Sequence, residues 1–307
     1  MQTSAERSVG IIGLGIMGSA MTGNLLQAGF TVFGYDTSSR AVDAFVQQGG
    51  RPMGSARDVA RNAQILITSL PSPAALYETV RALKDLSEPD RILAETSTFS
   101  LRDKLAAQAE LQASGITMLD CPLSGSGVQA IRRDVLVYAS GKREAYERCL
   151  PVFDAFSRAP HYLGEFGNGS KTKFIANLLV AIHTAAAGEA FALARKAGLD
   201  PAKMFEVVAD GAGGSSSMKV RGPMLIADEY LPVRTMPLKL WRKDLGVIAD
   251  FADSLVCPTP LFSTASSLFH AAVAAGYGEE DTAAVCRVLE TLAGVPGSSR
   301  PGSGAGD

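Results

Sequence analysis

The first half of the chain alternates short apolar runs with helical stretches. Residues 9–12, 31–35, 65–68, 91–94, 117–119 and 135–138 each read as a buried strand. Residues 18–27 read as a helix that stops near Gly29. Strands separated by helical segments imply βαβ units and a parallel sheet. The pattern changes near Asn168. Residues 171–197 form a long proline-free stretch rich in Ala, Leu and Phe, closed by Gly198 and then Asp200-Pro201, a stop signal. Helical patterns follow at 201–210, 240–254 and 261–275, and no strand pattern appears beyond residue 165. The pattern predicts an α/β domain over 1–167, an all-α domain over 168–294 and a Gly/Ser-rich, disordered tail over 295–307.

Gly13-Leu-Gly15-Ile16-Met17-Gly18 follows the first strand and opens the first helix. That context makes the G-x-G-x-x-G run a dinucleotide fingerprint and the first domain Rossmann-type. The first glycine permits the tight turn, the second lets a pyrophosphate approach the backbone, and the third packs helix against strand. The helix N-terminus then faces the phosphates. Asp36 ends the second strand, 18 residues after Gly18, at the place where an acid holds the adenosine ribose in NAD enzymes. The alternative is an ordinary strand-to-loop aspartate. A carboxylate here repels a 2′-phosphate, so NAD is expected, with NADP as the alternative; Arg40 either softens the preference or belongs to a solvated helix face.

Composition narrows the classes. The 307 residues are 47% hydrophobic and 20% charged, with a net charge of -2, an ordinary globular balance that leaves no footprint for nucleic acid. No uninterrupted run of 18 apolar residues occurs, so no membrane partner is expected. Four dispersed cysteines (Cys121, Cys149, Cys257, Cys286) read as reduced thiols of a cytoplasmic protein. Three scattered histidines (His161, His183, His270) give little material for a metal site, and none is expected.

The residues from Gly13 to Leu25 resemble the nucleotide signature of the β-hydroxyacid dehydrogenases. Further segments agree in order: Leu70-Pro71, Ser97-Thr98, Asp120-Cys-Pro-Leu-Ser124-Gly125, Gly167-Asn-Gly169 with Lys173 and Asn177 at four-residue steps, and Lys243-Asp244. The resemblance spans about Val9 to Ala293. It implies hydride transfer between the 3-hydroxyl of a small hydroxycarboxylate and a nicotinamide, with Lys173 as general acid/base and Asn177 beside it. It also implies cofactor contacts from Gly13, Gly15, Ile16, Met17, Gly18, Asp36, Leu70, Pro71 and Thr98, and a role for Lys243 toward substrate and cofactor. A homodimer or homotetramer is implied as well. Several positions depart from the family pattern: Glu95 for Asp, Leu101 for Pro, Ser126 for Gly, Ala176 for Asn, and a glycine-poor stretch over 129–134. They put the substrate in question more than the chemistry.

Hydride transfer needs a base for the hydroxyl proton, a holder for the carboxylate and a dry site. Burial against the apolar run that follows is expected to lower the pKa of Lys173. Ser124, Gly125 and Ser126 offer a hydroxyl and backbone N–H groups to an anion. Asn177 lies one turn after Lys173; it orients substrate, bonds Lys173, or is a buried structural amide. The site is expected where the strands end at their carboxyl side, in a cleft between the domains. Residues 211–217 (Gly-Ala-Gly-Gly-Ser-Ser-Ser) suit either a hydroxyl-rich substrate or a flexible turn. Val180 stands where decarboxylating relatives carry Glu, and Lys173 argues against an imine reductase. A non-catalytic dinucleotide-binding or redox-sensing protein remains the alternative class; it would bind cofactor without turnover. A structural helical oligomer would leave the glycine loop unexplained.

Overall fold

A computed structural model describes residues 7–84, 86, 90–231 and 235–295. The tail expected over 295–307 lies outside the described residues from 296 onward. The chain divides into two compact units at Lys173/Phe174.

In the first unit the elements run β1 (Ser8–Ile12), α1 (Ile16–Gln27), β2 (Thr31–Tyr35), α2 (Ser39–Gln47), β3 (Arg51–Pro52), α3 (Ala56–Asn62), β4 (Ile65–Thr68), α4 (Pro73–Lys84), β5 (Ile92–Glu95), α5 (Leu101–Ala113) and β6 (Thr117–Asp120). They continue as β7 (Leu123–Ser124), α6 (Gly127–Ile131), β8 (Leu136–Ala139), α7 (Arg143–Phe156) and β9 (Ala159–Tyr162). A six-stranded sheet has the order β3-β2-β1-β4-β5-β6, with every pair parallel. This is the α/β Rossmann-type fold expected from the pattern. A three-stranded sheet β7-β8-β9 follows, antiparallel then parallel.

Strand side chains alternate between faces, so the parallel sheet feeds two cores. Val9, Ile11, Ile67 and Ala94 join Met21, Leu25 and Phe153 on one face. Ile12, Leu66 and Leu93 join Val59, Leu76, Val80 and Leu111 on the other. Burial on both faces is why these strands read as continuous apolar runs. The strand order reverses between β1 and β4, which puts the switch point beside the loop after β1.

Helix α8 (Asn168–Lys196) begins in the first unit and continues into the second. The second unit then adds α9 (Pro201–Val208), α10 (Ser216–Ala227), α11 (Leu238–Ser254), α12 (Pro260–Ala272), a π-type turn over Val273–Tyr277, and α13 (Val285–Ala293). Phe174, Ala181, Ala185 and Phe191 of α8 pack with Met218, Trp241, Phe262 and Phe269. Helix α8 is long and apolar enough, by length and composition, to cross a membrane. Scanning for uninterrupted apolar residues misses it because Lys173, Asn177, His183 and Glu189 interrupt the run. Residues 211–217 are a turn followed by the start of α10. Ser215 caps that helix through Met218 N–H, and Ser217 is buried against Thr184 and Arg221.

The start of α8 is packed without slack. A Cβ on Gly169 would lie 2.2 Å from the Tyr138 carbonyl oxygen and 2.7 Å from that of Asp120. Both obstacles are backbone, so neither yields easily. Gly169→Ala should therefore lower stability by about 1–3 kcal/mol, the usual cost of overpacking, and urea titration of the two proteins measures the difference.

Candidate active site

The cofactor cradle is built at the carboxyl ends of β1 and β2. Gly13 has φ +94°, a conformation L side chains avoid, and a Cβ on Gly18 would sit 2.0 Å from the Gly13 carbonyl oxygen. Above Gly15 a Cβ would meet nothing within 4 Å. The loop is thus tight beneath and open above, as a pyrophosphate requires. Helix α1, twelve residues long, has no side-chain cap at its N-terminus, so its first amides suit a phosphate. Ile16 is 74% exposed at this edge, and Met17 packs inward against the first core. Asp36 is half-buried. Its Oδ2 accepts from Leu14 N–H at 2.7 Å and its Oδ1 from Ser38 N–H at 2.8 Å. These residues fit a nicotinamide dinucleotide.

Leu70 and Pro71 follow β4, and Thr98 follows β5. Leu70 N–H donates to Ser97 Oγ at 2.8 Å, so these two loops are joined directly. The substrate motif follows β6. Asn24, buried in α1, donates through its side-chain amide to the Ala130 carbonyl at 2.8 Å and ties the cofactor helix to α6.

Ser126 behaves differently from the other members of its motif. Its hydroxyl accepts from Gln129 N–H, and its own N–H donates to Gln129 Oε1 at 3.0 Å. This capping box engages both groups that the sequence offered to an anion. Ser124 and Gly125 remain the motif's candidates for a carboxylate.

Lys173 is half-buried on α8. Asn177, one turn later, is buried, and its Nδ2 donates to Asp244 Oδ2 at 3.1 Å. Lys243 Nζ lies 3.3 Å from Asp244 Oδ1. Within the second unit, Asn177 and the Lys243-Asp244 pair therefore meet, with Asp244 as the buried acceptor between them. Cys121 is fully buried, and burial first, then nearby Cys149, pushes its thiol well above the usual range. It is a packing residue. His183 is exposed on α8.

Lys104 of α5 was not singled out by the sequence patterns, yet it lies at the centre of the first unit's polar interior. It is fully buried, with Nζ 2.7 Å from Glu95 Oε2 and 2.7 Å from Asp120 Oδ1. Burial depresses an ammonium, but Asp120 and Glu95 outweigh that here, and its pKa stands above the ordinary lysine value. Asp120 Oδ1 also accepts from Ser170 Oγ at 2.7 Å, and Oδ2 from Ser170 N–H at 2.7 Å and Ser140 Oγ at 3.2 Å. A signal did exist: Lys104 falls between Leu101, Ala107 and Leu111, at core spacing on its helix.

Comparisons with known proteins agree with this geometry. A family model described as the NAD binding domain of 6-phosphogluconate dehydrogenase matches residues 8–164. Another, the NAD-binding domain of NADP-dependent 3-hydroxyisobutyrate dehydrogenase, matches residues 167–289. An L-threonate dehydrogenase of Escherichia coli is 33% identical over 97% of this chain and 99% of its own. The NAD-dependent L-serine dehydrogenase of Pseudomonas aeruginosa is 30% identical over 94% of this chain and 99% of its own. The crystal structure of 3-hydroxyisobutyrate dehydrogenase from Salmonella typhimurium matches with a TM-score of 0.82 at 34% identity, covering 92% of this chain and 99% of that one. With a glycine cradle, an acid at its rim and full-length relatives of this kind, the chain belongs to the β-hydroxyacid dehydrogenases, enzymes that pass a hydride between a hydroxycarboxylate and NAD or NADP.

Proposed function

We propose that the enzyme is an NAD-preferring dehydrogenase of a short polyhydroxylated carboxylate of the threonate kind, with Lys173 as its general acid/base. The observation that carries the reading is the loop constellation of the first unit: glycine cradle, Leu70-Ser97 junction and Ser124-Gly125 motif all lie at strand carboxyl ends. Similarity to L-threonate dehydrogenases along nearly the whole chain supports the substrate class.

A bound nicotinamide coenzyme supplies the hydride acceptor. The glycine loop and the first turn of α1 bind its phosphates, and Asp36 takes the ribose hydroxyls. Leu70, Pro71 and Thr98 line its nicotinamide side. The Ser124 hydroxyl and Gly125 N–H hold the substrate carboxylate, while Ser126 shapes the loop through its capping box. The Lys173 amine removes the hydroxyl proton in the oxidative direction and returns it in the reductive one. Asn177 orients that end of the helix through Asp244, and Lys243 assists substrate and cofactor. In this reading the domains are 1–167 and 168–294, and the enzyme is a cytoplasmic homodimer or homotetramer. The exposed apolar side chains Ile175, Leu179 and Leu193 on α8 support self-association.

An NADH-formation assay over L-threonate, D-glycerate, 3-hydroxyisobutyrate and L-serine, run with NAD and with NADP, tests the reading. Turnover of L-threonate with NAD is the expected result. Coenzyme binding with no turnover of any of them would point to an unusual substrate or to a sensor. Lys173→Ala should lower kcat by about 10²- to 10⁴-fold, the range for a lost acid/base, with NAD binding retained; a fully active variant would remove Lys173 from the chemistry. Asp36→Ala should weaken NAD by about tenfold, as for a lost charged hydrogen bond, and raise the NADP-to-NAD activity ratio. A ratio equal to wild type would make Asp36 a purely structural residue.

A further inference from the structure

Four segments of the proposed site are linked, directly or through a neighbour, by one buried ammonium that belongs to none of their motifs. Leu70 N–H, in the loop after β4, donates to Ser97 Oγ at 2.8 Å. Ser97 N–H donates to Glu95 Oε1 at 2.8 Å. The other oxygen of Glu95 lies 2.7 Å from Lys104 Nζ, which lies 2.7 Å from Asp120 Oδ1. Asp120 opens the substrate motif and holds both the N–H and the hydroxyl of Ser170, three residues before Lys173.

Glu95 and Asp120 are direct neighbours at the ends of adjacent parallel strands. Two carboxylates so placed in a dry interior repel strongly. A lysine ammonium has three donors on one long stem, so it can hold both at once. Without it the two charges would face each other uncompensated. Each carries a segment of the proposed site: Glu95 holds the Ser97 loop, and Asp120 holds the first turn of α8. Helix residues advance about 100° each, so the grip on Ser170 sets the direction in which Lys173 leaves the axis. The same Asp120 side chain lies four residues before Ser124.

We propose that Lys104 is a positioning residue for hydride transfer: by bridging Glu95 and Asp120 it fixes the first turn of the Lys173 helix against the substrate motif. This rests on Lys173 being the acid/base. Ser170→Ala cuts the hydroxyl link with little risk to folding. Lys104→Met removes the bridge. The double variant Glu95→Gln/Lys104→Met removes the bridge yet keeps the group's net charge, since two carboxylates and one ammonium give way to one carboxylate. For each, thermal melting, NADH fluorescence binding, deuterium exchange of the peptide covering 168–177, and kcat and KM for L-threonate against pH are measured.

In Ser170→Ala, coenzyme affinity should stay within about twofold while kcat falls by about tenfold or more, since displacements near 1 Å suffice for such losses. Exchange across 168–177 should accelerate, and the acid limb of the kcat profile should shift. The double variant should regain the melting temperature lost in Lys104→Met while kcat stays low. Wild-type kcat and exchange in Lys104→Met would overturn the proposal. So would recovery of kcat together with stability in the double variant, because Lys104 would then only balance charge. If Lys104→Met does not fold, the double variant decides. An inert wild type, or a fully active Lys173→Ala, would instead overturn the functional reading, and the exchange measurement would still report the link.

Discussion

The carboxylate of Asp120 is the constraint on which the rest of the first unit's working end depends. It sits at the end of β6, the edge strand of the parallel sheet, with no exposure to solvent, and is satisfied from three directions: Lys104 of α5, Ser140 after β8 and Ser170 of α8. An unpaired charge at this depth would be untenable. The folded chain therefore has to bring those three elements together, and doing so places the substrate motif and the first turn of α8 in register. Removing one partner of such a buried pair typically costs about 3–5 kcal/mol, more than most packing changes. Replacing the whole group with apolar residues would cost far less, so net stability alone does not account for the arrangement. Geometry does: charged hydrogen bonds are short and directional, and apolar contacts are neither.

Much of this was written in the sequence in readable form. Strands β1, β2 and β4 to β6 are apolar on both faces, so runs such as Ile65-Leu66-Ile67 stand out. The G-x-G-x-x-G loop and Asp36 are separated by a fixed path of helix and strand, so their pairing follows from spacing alone. Other elements left weak traces. Strands β3 and β7 have two residues each, and β9, Ala159-Pro160-His161-Tyr162, carries a proline and no apolar alternation. Helix α10 contains Gly222-Pro223 and follows a Gly/Ser run, so local propensity points to a turn; tertiary contacts of Met218, Arg221 and Leu225 prevail. The polar centre was the least legible. Lys104, Glu95 and Asp120 are ordinary charged residues in sequence, and only the fold shows that all three are buried together. The Ser126 capping box was hidden similarly, because Ser-x-x-Gln reads equally well as substrate loop or helix start.

The helical unit is organised on a different plan. Its core is aromatic, with Phe174, Phe191, Trp241, Phe262 and Phe269 around small residues of α8. Polar groups inside it act as staples. Asp281, fully buried, accepts from Thr235 Oγ1, Met236 N–H and Ala283 N–H, and Arg221 approaches it at 3.6 Å. One carboxylate thus closes the chain between α10 and α11 onto the turn before α13. The buried Asn177-Asp244 contact is of the same kind, with the difference that one of its members lies a turn from Lys173.

The hydrogen bond from Leu14 N–H to Asp36 bears on how coenzyme is taken up. A glycine loop is normally the most conformationally free part of a chain, and ordering it on association opposes binding. Here a side chain from the neighbouring strand already holds the loop in its receptive shape. Part of the ordering is thereby done in folding. A loop already fastened in this way leaves less backbone freedom to be lost when a ligand settles on it.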